Sequence, residues 1–431
     1  MNEKIQHINA VDFQSVVLDS PIPVIVDFYS DECPPCEVLA PIFEKMADKY
    51  GEHIKFVKIF RQDNREFAKS IEVTGSPTVL FYHNGREVGT RLGGFMNKPQ
   101  VRIAIEEILG DVIPKEEMKE LDCEILIIGA GPAGLSAAIY AARAKMNTVV
   151  IDESVPGGQA GSTFHIANYP GTAGVIQGSD LVNNMKNQAE SFGTRIDDLK
   201  EVFEISLIGN TKFVRTEDVI YRARAVVIAS GSRPRSLPAE DAEHFNGRGV
   251  HYCATCDGAM YQDRKIIVVG GGTSAMEEAV YLTRFASLVT IIHRSENFRA
   301  TAADVELARQ NPKIDIITNT VVKRVTGEGY ALTSVQLENV NTGELTEFPT
   351  EGAFVYIGAE PLTKMYQSQI DLDDNQYILA SEDTRTNIAG VFAAGDVRTK
   401  AIRQVVTAAS DGAVAGIMAE RYVSAFDHKK K

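Results

Sequence analysis

Twice in this chain a short apolar strand runs straight into a glycine-rich turn and then a helix. Glu124-Ile125-Leu126-Ile127-Ile128 leads into Gly129-Ala130-Gly131-Pro132-Ala133-Gly134 and an alanine-rich helix through Ala144. Lys265-Ile266-Ile267-Val268-Val269 leads into Gly270-Gly271-Gly272-Thr273-Ser274-Ala275 and a helix holding Glu277 and Glu278. The glycines permit a tight turn, close approach of backbone to a pyrophosphate, and close packing of helix on strand, while the helix N-terminus receives the negative charge. After the first copy, strand Thr148-Val149-Val150-Ile151 ends at Asp152, the acid expected on a ribose hydroxyl, with Glu153 its rival. In the second copy the last position is Ala275, still small enough for close packing. Strand Val289-Thr290-Ile291-Ile292 then ends in His293-Arg294-Ser295-Glu296-Asn297-Phe298-Arg299, with no acid at its tip. Arginine there suits a ribose 2′-phosphate by geometry and charge. Two such units in one α/β chain imply two dinucleotides, read as a flavin and its nicotinamide partner.

The second constraint is a doubled Cys-x-x-Cys. Cys33-Pro34-Pro35-Cys36 follows a buried strand, Val24-Ile25-Val26-Asp27-Phe28-Tyr29, on the turn into a helix predicted from about Cys36 to Tyr50. A thiol at a helix N-terminus faces unpaired N–H groups and the positive dipole end, which stabilises its thiolate. Cys36, one turn later, can resolve a mixed disulfide. Strands are also expected at Lys55–Phe60 and at Thr78–Tyr82, the latter ending in a hairpin turn at His83-Asn84-Gly85-Arg86. Cys253-Ala254-Thr255-Cys256 lies just upstream of the second glycine signature. A zinc site shared between the pairs is disfavoured, because they lie far beyond the ~15–20 residues of a zinc ribbon.

Composition narrows the function classes. A chain of 431 residues suggests two to four domains at ~100–200 residues each. Its net charge of −14 argues against a nucleic-acid partner. No run reaches the ~18 apolar residues of a membrane helix, and the opening Met1–His7 lacks the order of a signal peptide. Four of the five cysteines fall in the two pairs, which fits transient redox chemistry in the cytoplasm. Cys123 reads as a small buried apolar residue, the histidines show no metal-ligand spacing, and Lys429-Lys430-Lys431 reads as a solvated tail. Gly110–Glu120 is charged and aperiodic and reads as a tether spanning roughly 40 Å if extended.

Residues 1–109 resemble thioredoxin, on Val26-Asp27-Phe28 before the dithiol, the Cys-x-Pro-Cys itself, Lys58 in the next strand and Ser76-Pro77. The resemblance implies that Asp27 is a buried carboxylate relaying a proton to Cys36, and that Pro77 is a cis-proline shaping the partner groove. The family's Trp and Gly are here Glu32 and Pro34. From Glu124 to about Tyr422 the chain resembles bacterial thioredoxin reductases. The match rests on Gly129–Gly134, Gly157-Gly158-Gln159, Asn168-Tyr169-Pro170-Gly171, Cys253–Gly258, Gly270–Ala275, Ala393-Ala394-Gly395-Asp396 and Arg403-Gln404.

That resemblance implies a thioredoxin fold followed by two Rossmann-like domains. An FAD domain (123–240 and 361–431) would be interrupted by an NAD(P)H domain (241–360), after a linker at 110–122, with crossings near Pro238–Arg248 and Gly358–Pro361. The crossings would be the pivots of a domain rotation. It further implies that Cys256 faces the flavin, Cys253 is the interchange thiol and Asp257 manages the proton. FAD would meet Gly129, Gly131, Pro132, Ala133, Gly134, Asp152 or Glu153, Gly158, Gln159, Asn168, Gly395, Asp396, Arg403 and Gln404. Gly270, Gly272, Thr273, Ser274, Ala275, His293, Arg294 and Arg299 would hold NADPH, with NADH left open by Ser295 where the family has a second arginine.

The implied enzyme is a homodimeric flavoprotein reducing its own thioredoxin domain, within one subunit or across the dimer, and through it protein disulfides. Its rivals are a peroxiredoxin-reducing flavoprotein, a ferredoxin-driven flavin thioredoxin reductase, and a redox-sensing binding protein.

Overall fold

A computed structural model of the chain describes residues 4–31, 33–94, 96–110, 117–161, 163, 166, 168–246, 249–252, 254–328 and 331–428. Glu32, Cys253 and the Lys429–Lys431 tail lie outside the described residues, as do Arg248 of the first expected crossing, most of the expected tether and the side chains of Pro34 and Cys256. Two compact units are present: residues 1–161, 179–231 and 363–431 form the first, and 162–178 with 232–362 the second.

The first unit begins with five strands, β1 (Ile5–Ile8), β2 (Val24–Tyr29), β3 (Lys55–Phe60), β4 (Thr78–His83) and β5 (Arg86–Gly93), in the order β1-β3-β2-β4-β5. Helices α1 (Pro34–Tyr50), α2 (Arg65–Ser70) and α3 (Lys98–Leu109) accompany them. Strand β2 is central and buried along nearly its whole length, which is why it reads as an unbroken apolar run around Asp27. Asn84 and Gly85 both have positive φ, as a two-residue hairpin turn between β4 and β5 requires. Helix α1 starts at Pro34, earlier than the sequence reading, because proline is tolerated in a first turn whose N–H has no partner.

The chain continues into β6 (Lys119–Ile128), α4 (Pro132–Arg143), β7 (Thr148–Ile151), α5 (Gly158–Gly161), α6 (Gly178–Ser191), β8 (Arg195–Asp197), β9 (Val202–Ser206), β10 (Lys212–Thr216) and β11 (Val219–Ile228). Parallel strands run β8-β7-β6-β11, and β10 and β9 extend the sheet antiparallel. Strand β6 starts upstream of Glu124. Lys119–Asp122 pair with Val219–Arg222 of β11, and Arg222 and Glu120 form an ion pair of 2.8 Å across that register. Part of the expected linker is therefore strand.

In the second unit, β13 (Val250–His251), β14 (Lys265–Gly270), β15 (Leu288–Ile292), β16 (Ile314–Ile317) and β20 (Gly352–Tyr356) make a parallel sheet in the order β13-β20-β14-β15-β16. Helices α7 (Ala254–Asp257), α8 (Thr273–Leu282) and α9 (Ala302–Gln310) belong to it, and β17 (Thr320–Glu328), β18 (Ala331–Asn339) and β19 (Leu345–Pro349) form an antiparallel sheet. The chain enters by β12 (Ser232–Pro234) and leaves by β21 (Ala359–Pro361), two antiparallel neighbours pairing Ser232 with Pro361 and Pro234 with Ala359. The entry lies upstream of Pro238–Arg248.

The chain then returns to the first unit. Strand β22 (Val391–Ala393) pairs with β11, and helix α10 (Val405–His428) packs on α4. The contact is close because it uses small residues: a Cβ on Gly412 would stand 2.0 Å from the Ala133 carbonyl oxygen, and one on Gly416 2.5 Å from that of Ala137.

The dithiol-bearing module is seated against the seven-stranded sheet. Leu199 has φ of 52° and is 3 % exposed, packed in one apolar cluster with Ile42, Met46, Val101 and Ile105. Around it, Lys98 Nζ donates to the Leu199 carbonyl (2.5 Å) and pairs with Glu217. Lys45 Nζ donates to the Asp198 carbonyl (2.9 Å), and Arg102 forks onto Glu201 at 2.8 and 2.9 Å. All three cations lie on α1 and α3.

Candidate functional site

The N-terminal dithiol is built by β2, α1 and the loop before β4. Cys33 caps α1 and is joined to Cys36 by a disulfide, with Cα atoms 5.2 Å apart. Cys33 Sγ accepts from the Cys36 N–H at 3.3 Å and lies 3.5 Å from the Ser76 carbonyl oxygen, next to the cis Ser76-Pro77 bond. Asp27, 1 % exposed, has Lys58 for an ionic neighbour at 3.4 Å, and its Oδ1 has no hydrogen-bond partner among the described residues. Burial pushes its carboxyl up to about 6 against the pull of Lys58. A carboxyl in that range can hold or release a proton near neutrality, as a dithiol relay needs. Arg61, which the sequence reading missed, donates to Ser76 Oγ at 2.9 Å and so braces the cis-proline loop.

At the first glycine turn, space decides residue identity. Gly129 has φ of 107°, and a Cβ there would stand 2.3 Å from the Ala229 carbonyl oxygen. A Cβ on Gly134 would meet the Gly129 carbonyl at 1.8 Å, so helix α4 lies directly on its own turn. Gly131 is different: its nearest neighbour would be the Gly158 Cα at 3.8 Å, which leaves an open cradle between the two glycines, capped by Pro132 and Ala133 of α4. Of the two candidate acids, Asp152 turns to this loop. Its Oδ2 accepts from the Ala130 N–H (2.5 Å) and its Oδ1 from Ser154, while Glu153 Oε1 accepts a longer bond from the Val202 N–H. Gln159 sits beside Gly158 on α5, whereas Asn168 belongs to the second unit.

Around β22 two buried polar groups lack partners. Asp396 Oδ1 and Arg403 Nε make no hydrogen bond among the described residues, and the Arg403 guanidinium lies 4.0 Å over the Tyr377 ring. Burial raises the Asp396 carboxyl, against the pull of Lys400 and Arg403. Such orphans are costly unless a ligand completes them. The sequence reading missed what holds this corner. Asp411 on α10 accepts from the Gly395 N–H (3.0 Å) and from Arg398 and Lys400 (2.8 and 2.9 Å). Burial acts to raise its carboxyl, but those cations outweigh it and hold it below the usual range. A flat polyol-bearing dinucleotide fits this donor set: an open glycine cradle, an acid beside it, and unpaired polar atoms where the chain returns. Gln404 follows Arg403 directly into α10.

The second glycine turn opens on a cavity of about 390 Å³ lined by Gly270, Gly271, His293, Arg294, Arg299 and Ile357, among others. A Cβ on Gly270 would stand 2.3 Å from the Tyr356 carbonyl, and one on Gly271 2.2 Å from the His293 ring. Gly272 has open space, and Thr273 and Ser274 start α8. Ala275, fully buried, packs under the turn. His293 stacks on Phe298 at 4.8 Å, and its Nε2 meets the Ser295 hydroxyl at 3.0 Å, so Ser295 folds the loop that presents the two arginines. A larger cavity of about 520 Å³ opens by Lys265, Leu288 and Asp315, at or near the amino ends of the parallel strands. Nucleotides bind at carboxyl ends, so the smaller cavity is the candidate.

Asp257 ends α7 directly after Cys256. Its carboxylate lies 3.0 Å from His251 Nδ1, and His251 Nε2 is 2.7 Å from the Tyr261 hydroxyl. The Ala254 N–H donates to the Tyr356 hydroxyl at 2.7 Å. His251, Tyr261 and Tyr356 were not singled out from the sequence. No cluster of three potential metal ligands occurs among the described residues, and none of their helices is long and apolar enough to cross a membrane.

Comparison with known proteins agrees with this geometry. Residues 123–412 match the pyridine nucleotide-disulphide oxidoreductase family and residues 4–107 match thioredoxin. Thioredoxin reductases of Peptoclostridium acidaminophilum and Listeria innocua are 42% and 44% identical to this chain, each over 70% of it and over 97% and 93% of their own lengths. The crystal structure of Lactococcus lactis thioredoxin reductase in its FR conformation superposes with a TM-score of 0.66 at 40% identity, covering 70% of this chain and 99% of that one. Glycine turns, dithiols and sheet order thus converge with these likenesses: the chain belongs to the pyridine nucleotide-disulphide oxidoreductase family, as a thioredoxin reductase carrying a thioredoxin domain at its N-terminus.

Proposed function

We propose that this protein is an NAD(P)H-dependent thioredoxin-disulfide reductase that reduces its own N-terminal thioredoxin domain and, through it, protein disulfides. The observation that carries the reading is the combination, in one chain, of a Cys33–Cys36 disulfide at a helix N-terminus with a second Cys-x-x-Cys flanked by Asp257 and the second glycine turn. FAD and a nicotinamide dinucleotide supply the hydride and two-electron chemistry when bound. The chain's own residues do the rest.

Gly131, Gly158 and the α4 N-terminus would cradle the FAD pyrophosphate, with Gln159 supporting it and Asp152 orienting the ribose end. Asp396 would hold the ribityl chain, and Arg403 and Gln404 would lie on the ring side. Gly270, Gly272, Thr273, Ser274 and Ala275 would receive the nicotinamide dinucleotide, and His293 with Arg294 and Arg299 would hold its adenosine end. Arg294 and Arg299, two of the three arginines lining that cavity, support NADPH over NADH, and Ser295 where a further arginine would stand weakens the discrimination. Cys256 would be the sulfur on the flavin side and Asp257 would handle the proton, while Cys253 would attack the Cys33–Cys36 disulfide by thiol–disulfide exchange, joining one sulfur as the other leaves as a thiol. Asp27 then manages the proton at Cys36, and Pro77 shapes the groove for the next disulfide.

The protein acts as a cytoplasmic homodimer in this reading. The cavity at the second glycine turn favours a nicotinamide donor over a ferredoxin, and a single thioredoxin sheet favours thioredoxin over peroxiredoxin chemistry. The test is insulin disulfide reduction by the purified protein with NADPH and no added thioredoxin. Cys33→Ser and Cys256→Ser must each abolish it. Activity that survives Cys33→Ser rejects the relay through the fused domain.

A further inference from the structure

His251 is 2 % exposed, on the strand that leads into the Cys253–Cys256 segment. Its ring is clamped, stacked on Phe354 at 5.2 Å and edge-on to Tyr261 at 5.4 Å. Both nitrogens are spoken for by direction. Nε2 is 2.7 Å from the Tyr261 hydroxyl, and Nδ1 is 3.0 Å from Asp257 Oδ2. That second approach has contact distance without the angle of a hydrogen bond, so Nδ1 stays a buried atom without a hydrogen bond among the described residues, aimed at the carboxylate. A hydroxyl donating to Nε2 leaves the proton of a neutral imidazole on Nδ1, facing Asp257. A small swing of the Asp257 side chain, which keeps 15 % exposure, completes the bond.

We propose that His251 is a positioning residue for the reductase dithiol: it aims the Asp257 carboxylate, with Tyr261 fixing the tautomer that lets it do so. The inference rests on the reading of Asp257 as the acid of this dithiol. In the reaction it serves, one disulfide takes up two electrons and two protons to become two thiols, the electrons coming from the reduced flavin and one proton passing through Asp257. In the reverse sense Asp257 accepts the proton of the thiol that attacks the next disulfide. A carboxylate that receives the His251 N–H is turned one way, and loss of that donor lets it rotate out of reach of the thiol proton. The other groups packed here are Tyr356 and Tyr261, with Glu278 on α8 beyond Tyr356 and Arg264 and Glu351 beyond Tyr261. None of these donates to Asp257.

The test uses the full chain with Cys33 and Cys36 both changed to serine, reduced with dithiothreitol. Iodoacetamide alkylation of Cys253 and Cys256 is followed by peptide mass between pH 5 and 10, and Cys123, buried and pushed up to about 12, reacts too slowly to interfere. His251→Gln reaches toward Tyr261 but not Asp257, and is expected to move the break in the pH profile up by about one unit, roughly tenfold in rate at the midpoint. His251→Asn keeps a donor at the Nδ1 position and is expected to keep the break in place. Tyr261→Phe is expected to move it partway. Superimposable profiles for the wild type and His251→Gln, or a uniform loss at every pH with the break unmoved, overturn the proposal. Asp257→Asn separates the two levels: a profile unchanged in that variant refutes the acid itself, not its aim.

Discussion

Glu217→Lys tests whether the thioredoxin domain is seated on the seven-stranded sheet as described. The substitution lies outside the domain it should release, so the thioredoxin fold is untouched. Glu217 Oε1 pairs with Lys98, 3 % exposed, and its Oε2 accepts from the Glu201 N–H. Lys98 is also hydrogen-bonded to the Leu199 carbonyl. Breaking a buried pair typically costs 3–5 kcal/mol, because the surviving charge is left without compensation. The partial exposure of Glu217 puts the cost near the lower end, about 3 kcal/mol. The ammonium introduced in its place adds repulsion from Lys98 and Lys45. At about 1.4 kcal/mol per tenfold, the docked-to-released ratio falls by two orders of magnitude or more.

The assay is amide relaxation of the thioredoxin domain in the full chain. Docked, those amides tumble with the whole protein; released, they narrow toward the values of a small independent domain. The double variant Lys98→Glu with Glu217→Lys restores the pair with reversed sign and should restore the broad lines, a cycle that isolates this contact. Narrow lines in the wild type, or no narrowing in Glu217→Lys, would refute the seat. Salt is a weak lever here because the pair is sheltered from the ionic atmosphere.

Four further outcomes are expected. Because the Asp27 carboxyl is raised to about 6 in the folded domain, the unfolded chain loses its proton first as pH rises. The stability Asp27 lends at pH below its ordinary value is therefore lost between about pH 4 and 6, by about 3 kcal/mol at most, and denaturant unfolding of Asp27→Asn should lack that decline. Gly412→Ala drives a methyl into the Ala133 carbonyl, and purified protein should carry less flavin and lose about 1–3 kcal/mol of stability by denaturant melt. Arg299→Ala should raise the KM for NADPH about tenfold and that for NADH little, as a charge-assisted phosphate contact predicts; equal effects on both would assign Arg299 to another part of the nucleotide. Mixing Cys33→Ser with Cys253→Ser protein should restore insulin reduction if electrons pass between chains, and leave it absent if they stay within one chain.

What was legible in the sequence is what period and glycine encode. Strands β2, β7 and β14 are short apolar runs; β7 and β14 end at or next to a site residue and β2 holds Asp27 and ends four residues before Cys33, so finding the strand located the site. Gly129, Gly134 and Gly270 are places where any Cβ would strike a backbone carbonyl, and a pyrophosphate turn is the common reason for that crowding. The misses have a different character. His251 and Asp411 touch their partners only after the chain folds back, across a turn of helix or a loop, and a lone histidine or a helical aspartate carries no local signal. The seat is the clearest case. Lys98, Arg102, Leu199 and Glu217 are scattered over two modules, Leu199 needs a left-handed backbone that nothing in its neighbours announces, and Gly110–Glu120 reads as a tether because its charge pattern is silent about where the domains rest.

The most direct test of the account is to count electrons. Anaerobic titration of the flavin-loaded protein with NADPH, followed by flavin absorbance and by thiol alkylation, should consume about three two-electron equivalents per chain, one for the flavin and one for each dithiol in the sequence. Changing Cys33 and Cys36 to serine should reduce that to about two. A wild-type protein that stops at two equivalents, with Cys33 and Cys36 still oxidised, would contradict the claim that the reductase feeds its own thioredoxin domain.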